Sequence, residues 1–406
     1  MNKMAIMIAL MISLMGWASV GAGEMRSGGA TAEMRFEGGF GGLWIRADSL
    51  DLGSSLPANQ KLYGIGEGSA SRGDVDPLPS WNEGSAKRAI LSFVSDVTSE
   101  GGPNYVAPED RIATFDNDGT LWCEYPNYVP YLFIFDRVYD MASYHPEWNS
   151  AEPFSSILSG ERTGSGSFSP GEVLEIYVAT SSNMTAEEYM ALARDWLDRS
   201  SHPDYGLPYT ECVYKPMLEL LSYLRSQGFK VYIVTGGDQD FVRAFSQEVY
   251  GIPPEQVIGS AVKHQFIEVD GNTSVVKLPE VQVVNDGRVK AEQIQQIVGL
   301  RPILAYGNSD GDIPMLKFAT GGEGPSLGLL NHHDDPIREY AYDIGSSIGG
   351  LEEGLELAGE WGWEVVSMKE DWKYIFRGKL PPPFPRAPAW QKVFIGCYRH
   401  TFTIVL

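Results

Sequence analysis

Short apolar segments alternate with amphipathic helical patterns along most of the chain. Leu220, Leu221 and Leu224 fall on one helical face, and a similar stripe begins after Asn82, which is the predicted N-cap of that helix. The apolar segments have the length of strands: IATF at 112–115, FKVYIVT at 229–235, PILAYG at 302–307 and WEVVSM at 363–368. This alternation predicts an α/β fold with a doubly wound parallel sheet, whose ligands bind at the carboxyl ends of the strands.

A long helical pattern separates the first two of these strands. Within it, Thr185 and Glu188 have the spacing of a capping box at the start of an amphipathic helix. We therefore assign residues 81–124 and 215–377 to an α/β core and residues 125–214 to a helical cap inserted after the first strand.

The two ends of the chain differ in character from this core. Residues 1–23 have an early lysine, an apolar stretch and then small residues, which is the pattern of a cleaved signal peptide. An uncleaved anchor is the alternative, for which the apolar stretch is short. We expect export to the periplasm or the extracellular space, with no stable membrane insertion after cleavage. Residues 24–80, in which only LWIRADSL resembles a strand, are expected to be weakly ordered, and the Pro-rich residues 378–406 to form an appendage.

Charge and cysteine content exclude several partners and sites. The 406 residues have a formal net charge of -22, which argues against nucleic acid or an anionic membrane as the main partner, because both require basic patches. The three cysteines, Cys123, Cys212 and Cys397, are too few and too far apart for a disulfide framework or a cysteine-based zinc site. They leave room for one disulfide and at least one free thiol. The oligomeric state is not determined by the sequence.

The first strand runs directly into the segment DNDGT, which places Asp116 and Asp118 two residues apart at a strand end. Asn-Asp-Gly is a common turn sequence, so a turn is expected here in any case. An EF-hand calcium loop starting at Asp116 would need Gly at its sixth position and Glu at its twelfth, where this chain has Leu121 and Asn127. The turn alone does not explain two carboxylates after a buried strand.

The segment FDNDGTLW resembles the first motif of the haloacid dehalogenase superfamily, which has the pattern Asp-x-Asp-Gly-Thr at the end of the first sheet strand. The resemblance implies that Asp116 is a nucleophile that becomes an aspartyl-phosphate and that Asp118 is the general acid/base. Carboxylates suit both roles, since one can attack phosphorus while the other transfers protons. Two like charges this close also require a cation, and the resemblance implies Mg²⁺.

Three further segments resemble the remaining motifs of this superfamily, in the same order along the chain. VYIVTGG contains Thr235 and Gly236 near its end, and the resemblance assigns phosphate binding to these two residues. RVKAEQI provides Lys290 at a helix start, where it would neutralise the phosphate and the aspartates. Each segment alone is weak evidence, but their order and their positions at strand ends or a helix start make the resemblance specific.

The fourth, acidic motif departs from the family pattern. ILAYGNSDGDIPML has Asn308 where family members usually have an aspartate that binds Mg²⁺, so one negative charge is missing. Either Asn308 coordinates the metal with Asp312 in support, or Asp310 turns inward. The metal ligands implied by the resemblance are Asp116, Asp118, Asn308 and Asp312.

The implied activity is Mg²⁺-dependent hydrolysis of small phosphomonoesters by an exported phosphatase of the phosphoserine-phosphatase-like or nonspecific acid phosphatase type. The cap would exclude water and limit substrate size. Aromatic residues that could line the pocket are Trp122, Tyr125, Tyr128, Tyr131 and Trp148. Two alternatives stay open: a non-catalytic phospholigand-binding protein, which the asparagine in the fourth motif favours, and a phosphotransferase with an alcohol acceptor.

Overall fold

The computed structural model describes two separate units, which together cover residues 25–28, 31–36, 43–48 and 76–377. The first is an antiparallel sheet of β1 (Met25–Gly28), β2 (Thr31–Phe36) and β3 (Leu43–Asp48). β3 corresponds to the segment LWIRADSL, whereas β1 and β2 are not predicted by the hydropathy pattern. The segment 24–80, expected to be weakly ordered with one strand, thus contains three paired strands. The predicted signal peptide and C-terminal appendage lie outside the described residues.

A seven-stranded sheet organises the second unit. Its strands are β4 (Ile112–Phe115), β5 (Lys230–Asp238), β6 (Val257–Val269), β7 (Asn272–Val283), β8 (Leu304–Gly307), β9 (Leu327–His332) and β10 (Glu364–Ser367). They lie in the order β10-β9-β8-β4-β5-β6-β7, and all neighbours are parallel except β6 and β7, which form an antiparallel hairpin. The predicted α/β fold with a mainly parallel sheet is confirmed, and the hairpin and β9 are additions to it.

Helices connect these strands and fill the insertion between β4 and β5. The α-helices are α1 (Ser85–Thr98), α2 (Val129–Met141), α3 (Phe154–Ser159), α4 (Pro170–Ser181), α5 (Ala186–Arg199), α6 (Lys215–Ser226), α7 (Gln239–Arg243), α8 (Ser246–Val249), α9 (Arg288–Ile297), α10 (Ile313–Thr320), α11 (Glu353–Trp361) and α12 (Met368–Asp371). Helices α2 to α5 fall within the segment assigned to the cap. Among the described residues, no helix is long and apolar enough to cross a membrane.

Buried apolar side chains pack against both faces of the sheet. Along β8, Leu304 and Tyr306 belong to one apolar cluster, whereas Ala305 between them belongs to another. Successive residues of a strand point to opposite faces, so the two clusters lie on opposite sides of the sheet. Every residue of β4 is buried, as expected for a central strand of a parallel sheet.

Two of the sequence-based predictions about helix starts have different outcomes. The capping box is confirmed: the hydroxyl of Thr185 accepts a 3.1 Å hydrogen bond from the backbone N–H of Glu188, whose carboxylate accepts a 2.8 Å bond from the N–H of Thr185. Asn82 as the N-cap of α1 is wrong. The helix begins after Gly84, and the side-chain amide of Asn82 instead donates a 2.6 Å bond to the carbonyl of Glu370.

The β6–β7 hairpin lies against the helical insertion. The backbone N–H of Asn183, just after α4, donates a 2.8 Å hydrogen bond to the carbonyl of Lys277, and the N–H of Lys277 donates a 2.8 Å bond to the carbonyl of Met184. The insertion is therefore attached to the sheet through its hairpin edge as well as through its two chain connections.

Candidate active site

The carboxyl ends of β4 and β8 are adjacent and bring two acidic loops together. Asp116 and Asp118 follow β4 directly, and both side chains line a cavity of about 490 Å³. The loop turns at Gly119, whose φ of 73° is in the left-handed region. A Cβ atom at Gly119 would lie 2.1 Å from Nδ2 of Asn308, so glycine is required for this close approach of the two loops.

Lys290 joins the two loops by ion pairs. Its Nζ atom lies 2.8 Å from Oδ1 of Asp116 and 2.6 Å from Oδ1 of Asp312, and all three side chains are buried. The lysine is in the first turn of α9, in agreement with the predicted helix start. Burial opposes its charge, but the two aspartates outweigh that effect and raise the pKa of Lys290 above its usual value. Lys290 is therefore charged throughout the physiological range.

The two aspartates of the first loop have raised pKa values. Burial and the charge of Asp312 raise the pKa of Asp116 to about 8, against the opposing effect of Lys290. Burial also raises the pKa of Asp118, although its Oδ1 atom accepts a 3.0 Å hydrogen bond from Nε1 of Trp122. An ionised Asp116 at neutral pH thus needs more positive charge than Lys290 alone supplies.

The second acidic loop holds the two aspartates of the fourth motif in different positions. Oδ2 of Asp312 accepts hydrogen bonds from the backbone N–H groups of Asn308 at 3.0 Å and Ser309 at 3.1 Å, while its Oδ1 holds the lysine. Asp310 does not turn inward. Its carboxylate accepts hydrogen bonds of 2.8 to 3.2 Å from the backbone N–H groups of residues 352–354, at the start of α11. Asp310 caps that helix, and Asp312 supports the loop.

Asn308 is buried between two polar side chains. Its Oδ1 atom accepts a 3.0 Å hydrogen bond from the hydroxyl of Thr120, and its Nδ2 atom donates a 2.8 Å bond to Oε1 of Glu124. The same oxygen of Glu124 accepts a 2.8 Å bond from the hydroxyl of Tyr342. Burial raises the pKa of Glu124 well above its usual value. Neither Glu124 nor Tyr342 belongs to a motif, so no sequence pattern indicates them as site residues.

Near the end of β5, two glycines present their backbone to the cavity, followed by Asp238. Gly236 and Gly237 line it, whereas Thr235 is fully buried. The hydroxyl oxygen of Thr235 accepts a 3.0 Å hydrogen bond from the N–H of Gly237, and its carbonyl accepts a 2.9 Å bond from the side chain of Asn285. The structure thus brings Gly236 of the predicted Thr235–Gly236 pair to the cavity, whereas Thr235 lies behind it and fixes the conformation of the glycines.

A model of the haloacid dehalogenase-like hydrolase family matches residues 113–317, the stretch that contains all of the predicted site residues. The chain belongs to this family. With aspartate at both 116 and 118, this haloacid dehalogenase-like hydrolase is a phosphoric monoester hydrolase. No curated protein matches the chain significantly.

Several solved structures have a similar fold. One is a conserved protein of unknown function from Anaerococcus prevotii DSM 20548, with 16% identity and a TM-score of 0.46 over 72% of this chain and 94% of that chain. Another is a phosphoserine phosphohydrolase-like protein from Francisella tularensis subsp. tularensis SCHU S4, with 16% identity and a TM-score of 0.32 over 55% of this chain and 88% of that chain. A third is CbbY from Rhodobacter sphaeroides in complex with phosphate, with 12% identity and a TM-score of 0.29 over 54% of this chain and 85% of that chain. Likeness at this level says nothing about the substrate.

The acidic loops of this haloacid dehalogenase-like hydrolase fit a hard divalent cation. Carboxylate oxygens of Asp116 and Asp118 and the amide oxygen of Asn308 are ligand types that Mg²⁺ prefers. Asp312 fits a supporting position rather than a direct ligand, because both of its oxygens are engaged. The described part of the chain has no group of three or more His, Cys, Asp or Glu side chains suited to a metal.

Aromatic residues of the insertion line part of the cavity in this haloacid dehalogenase-like hydrolase. Tyr128 and Tyr131 are among the lining residues, in agreement with the sequence-based expectation. Trp122, Tyr125 and Trp148 instead stack on other aromatic side chains. Their role is mainly packing.

A buried polar contact joins the insertion to the core on the cavity wall. The hydroxyl of Tyr177 in α4 donates a hydrogen bond to Oδ2 of Asp238, at the end of β5. Nζ of Lys277 in β7 lies 3.3 Å from the same oxygen and 2.7 Å from Oδ2 of Asp240. Asp238 is also the N-cap of α7. The contact of Asp238 with Lys277 depends on the hairpin, which the sequence does not predict.

Proposed function

We propose that this hydrolase is a Mg²⁺-dependent phosphatase that cleaves small phosphomonoesters through an aspartyl-phosphate on Asp116. The observation that carries the proposal is the buried cluster of Asp116, Lys290 and Asp312, with Asp118 lining the same cavity. A protein that only binds phosphate needs positive charge and gains nothing from two nearby carboxylates. A nucleophile and an acid/base at this spacing serve chemistry.

In the first step, a carboxylate oxygen of Asp116 attacks phosphorus. A bond forms between that oxygen and phosphorus, and the ester bond between phosphorus and the substrate oxygen breaks. The carboxyl group of Asp118 gives its proton to the leaving oxygen. Lys290 and the backbone N–H of Gly236 stabilise the charge on the transferring group.

In the second step, the carboxylate of Asp118 accepts a proton from water. The water oxygen attacks phosphorus and the bond between phosphorus and Asp116 breaks, so inorganic phosphate leaves and both aspartates return to their starting states. Mg²⁺ bound by Asp116, Asp118 and Asn308 would supply the positive charge that keeps Asp116 ionised and offsets that of the phosphoryl group. Thr120 and Glu124 hold the Asn308 amide in place for this role.

The cavity restricts the alcohol part of the substrate. Its volume of about 490 Å³ is in the usual range for small-molecule sites. Ile134, Val173 and Leu174 of the insertion give one part of its wall an apolar character. We expect a small phosphomonoester with a partly apolar alcohol group.

The first test is hydrolysis of p-nitrophenyl phosphate by the purified protein, with Mg²⁺ and with a chelator, for wild type and Asp116→Asn. We expect Mg²⁺-dependent release of phosphate and a loss of at least about 10³-fold in kcat for Asp116→Asn. Asp286→Asn is the matched control, because Asp286 is an exposed aspartate that lines the same cavity. It should stay within a few-fold of wild type.

Turnover that persists in Asp116→Asn would contradict the aspartyl-phosphate route. If folded wild type hydrolyses neither this ester nor a panel of small phosphomonoesters with any divalent metal, but binds phosphate without metal, the protein is a phosphate binder rather than a phosphatase.

A further inference from the structure

Two short extended segments lie side by side at the base of the helical insertion. Trp122 and Val213 form an antiparallel bridge, flanked by a 3.1 Å hydrogen bond from the N–H of Cys123 to the carbonyl of Cys212. On the other side, the N–H of Tyr214 donates a 2.9 Å bond to the carbonyl of Leu121. The chain enters the insertion directly after one segment and leaves it through the other.

The antiparallel register places the two cysteines opposite each other. Residues that face each other in an antiparallel pair have Cα atoms about 4.5 to 5.5 Å apart, and disulfides span Cα distances of about 4.4 to 6.8 Å. Both side chains are fully buried as thiols. The Cys123 thiol has the Cys212 thiol as its direct neighbour, and burial together with this contact raises the pKa of Cys123 well above its usual value.

We propose that Cys123 and Cys212 form a disulfide that links the two ends of the helical insertion. The proposal is independent of the phosphatase activity, because it depends only on the facing positions of the two cysteines at the base of the insertion. Cys397 lies outside the described residues and is the thiol left over.

The reaction is a thiol–disulfide exchange with a small-molecule or protein disulfide as oxidant. One cysteine thiolate attacks a sulfur of the oxidant, which forms a mixed disulfide and releases one thiol. The second cysteine attacks the mixed disulfide, so the bond between the two cysteines forms and a second thiol is released. The protein loses two electrons and two protons, and the oxidant is reduced to two thiols.

Burial determines when this exchange takes place. In the folded protein neither thiol is exposed, and the raised pKa of Cys123 keeps it in the unreactive thiol form. The bond is therefore expected to form during folding, before the two segments close. Once formed, the same burial protects it from reductants.

The cross-link has a consequence for the whole insertion. It closes a loop that contains α2 to α5, and a disulfide across a long loop restricts the unfolded chain most. It also fixes the position of Cys123. The neighbours of Cys123 in sequence hydrogen-bond to the acidic loops: Trp122 donates a hydrogen bond to Asp118, and Glu124 accepts one from Asn308. Oxidation should therefore stabilise the fold around both acidic loops.

The test uses the full chain, unfolded in reductant and refolded in a buffer of oxidised and reduced glutathione. Free thiols are alkylated under denaturing conditions, and the digested protein is analysed by mass spectrometry. We expect a peptide pair linked through Cys123 and Cys212, with Cys397 alkylated. Alkylation of both Cys123 and Cys212 in the fully oxidising buffer, or a link from either to Cys397, would overturn the proposal.

Thermal unfolding of the wild-type chain refolded in the glutathione buffer, compared with the same chain refolded and kept in reductant, gives a second readout. We expect the oxidised protein to unfold about 5 °C or more above the reduced protein. Cys397→Ser should keep both the cross-link and this shift, whereas Cys212→Ser should lose both. An equal unfolding temperature in the two redox states would show that no link spans the insertion.

Discussion

The side-chain amide of Asn308 donates a 2.8 Å hydrogen bond to Glu124, a buried carboxylate that is not part of the family's motifs. The family pattern expects an aspartate at position 308. In this chain position 308 is neutral, and a carboxylate from the other acidic loop lies directly beside it. Burial raises the pKa of Glu124, so its ionised form depends on a nearby cation. With Mg²⁺ bound, we infer that ionised Glu124 would offset the charge lost at position 308 and orient the amide oxygen that would bind the metal.

Replacing Glu124 by Gln should therefore weaken Mg²⁺ binding more than catalysis. A group that orients a metal ligand typically contributes about 10- to 100-fold to metal affinity. We expect the Mg²⁺ concentration for half-maximal phosphatase activity to rise by that factor, with kcat at saturating Mg²⁺ much less affected. Activity measured across a Mg²⁺ titration tests this prediction. Tyr342→Phe is the control, since it removes the other hydrogen bond to Glu124 but keeps its charge, and it should have a smaller effect.

Swapping the carboxylate at position 124 and the amide at position 308 gives a second prediction. Asn308→Asp alone places two carboxylates side by side, and like charges at hydrogen-bond distance destabilise the site. Combined with Glu124→Gln, the same substitution restores one carboxylate and one amide. The double variant should recover the Mg²⁺ affinity that Asn308→Asp loses, measured as a double-mutant cycle. Additive effects would show that the two residues act independently.

Replacing Asp310 should lower the stability of the protein and leave metal binding unchanged. Its carboxylate accepts hydrogen bonds from backbone N–H groups at the start of α11. Asp310→Ala therefore removes a helix cap and should lower the free energy of unfolding by about 1 kcal/mol. The Mg²⁺ titration of activity should match that of wild type. If Asp310→Ala needs a higher Mg²⁺ concentration than wild type for half-maximal activity, the prediction is wrong and Asp310 binds the metal.

One strand that the sequence predicts, β4, follows a single hydropathy pattern throughout. β4 is apolar along its whole length and is buried along its whole length. β6 is different, because its first six residues are buried within the sheet and most of the remainder is exposed in the hairpin. Neither an alternating nor a continuous apolar pattern describes such a strand, so the hairpin and its contact with the insertion were missed.

The site residues also fall into two groups, those that local sequence patterns predict and those that only the fold brings together. Asp116, Lys290 and Asn308 were found because each follows a strand or starts a helix in an order that recurs in the family. Glu124 meets Asn308 across 184 positions of sequence, and Tyr177 meets Asp238 across 61. Such pairs depend on how distant parts of the chain fold together, which local patterns do not encode.

Lys290 should contribute to both stability and activity. Lys290→Met leaves Asp116 and Asp312 buried without their counter-charge, so the free energy of unfolding without metal should fall by about 3 kcal/mol or more. kcat/KM should fall at least about 100-fold, because the transferring phosphoryl group also loses this charge. Lys263→Met is the control: this lysine pairs with Glu280 on the exposed hairpin and should contribute less than about 1 kcal/mol. Denaturant unfolding and steady-state kinetics measure the two effects, and a variant as stable as wild type would contradict the buried ion cluster.

Tyr177→Phe should weaken substrate binding by removing the contact between the insertion and the end of β5. The lost hydrogen bond goes to a carboxylate, and such bonds contribute about 1.5 to 3 kcal/mol. Asp238 keeps Lys277 and the N–H groups of α7 as partners, so the core should remain folded. Because the contact lies on the cavity wall and not beside the reacting groups, KM should rise about 5-fold or more with kcat less affected. Tyr144→Phe, at an exposed position of the insertion, is the matched control and should leave KM unchanged. If the KM values of Tyr177→Phe and wild type are equal for every substrate, the contact holds the insertion in place without taking part in substrate binding.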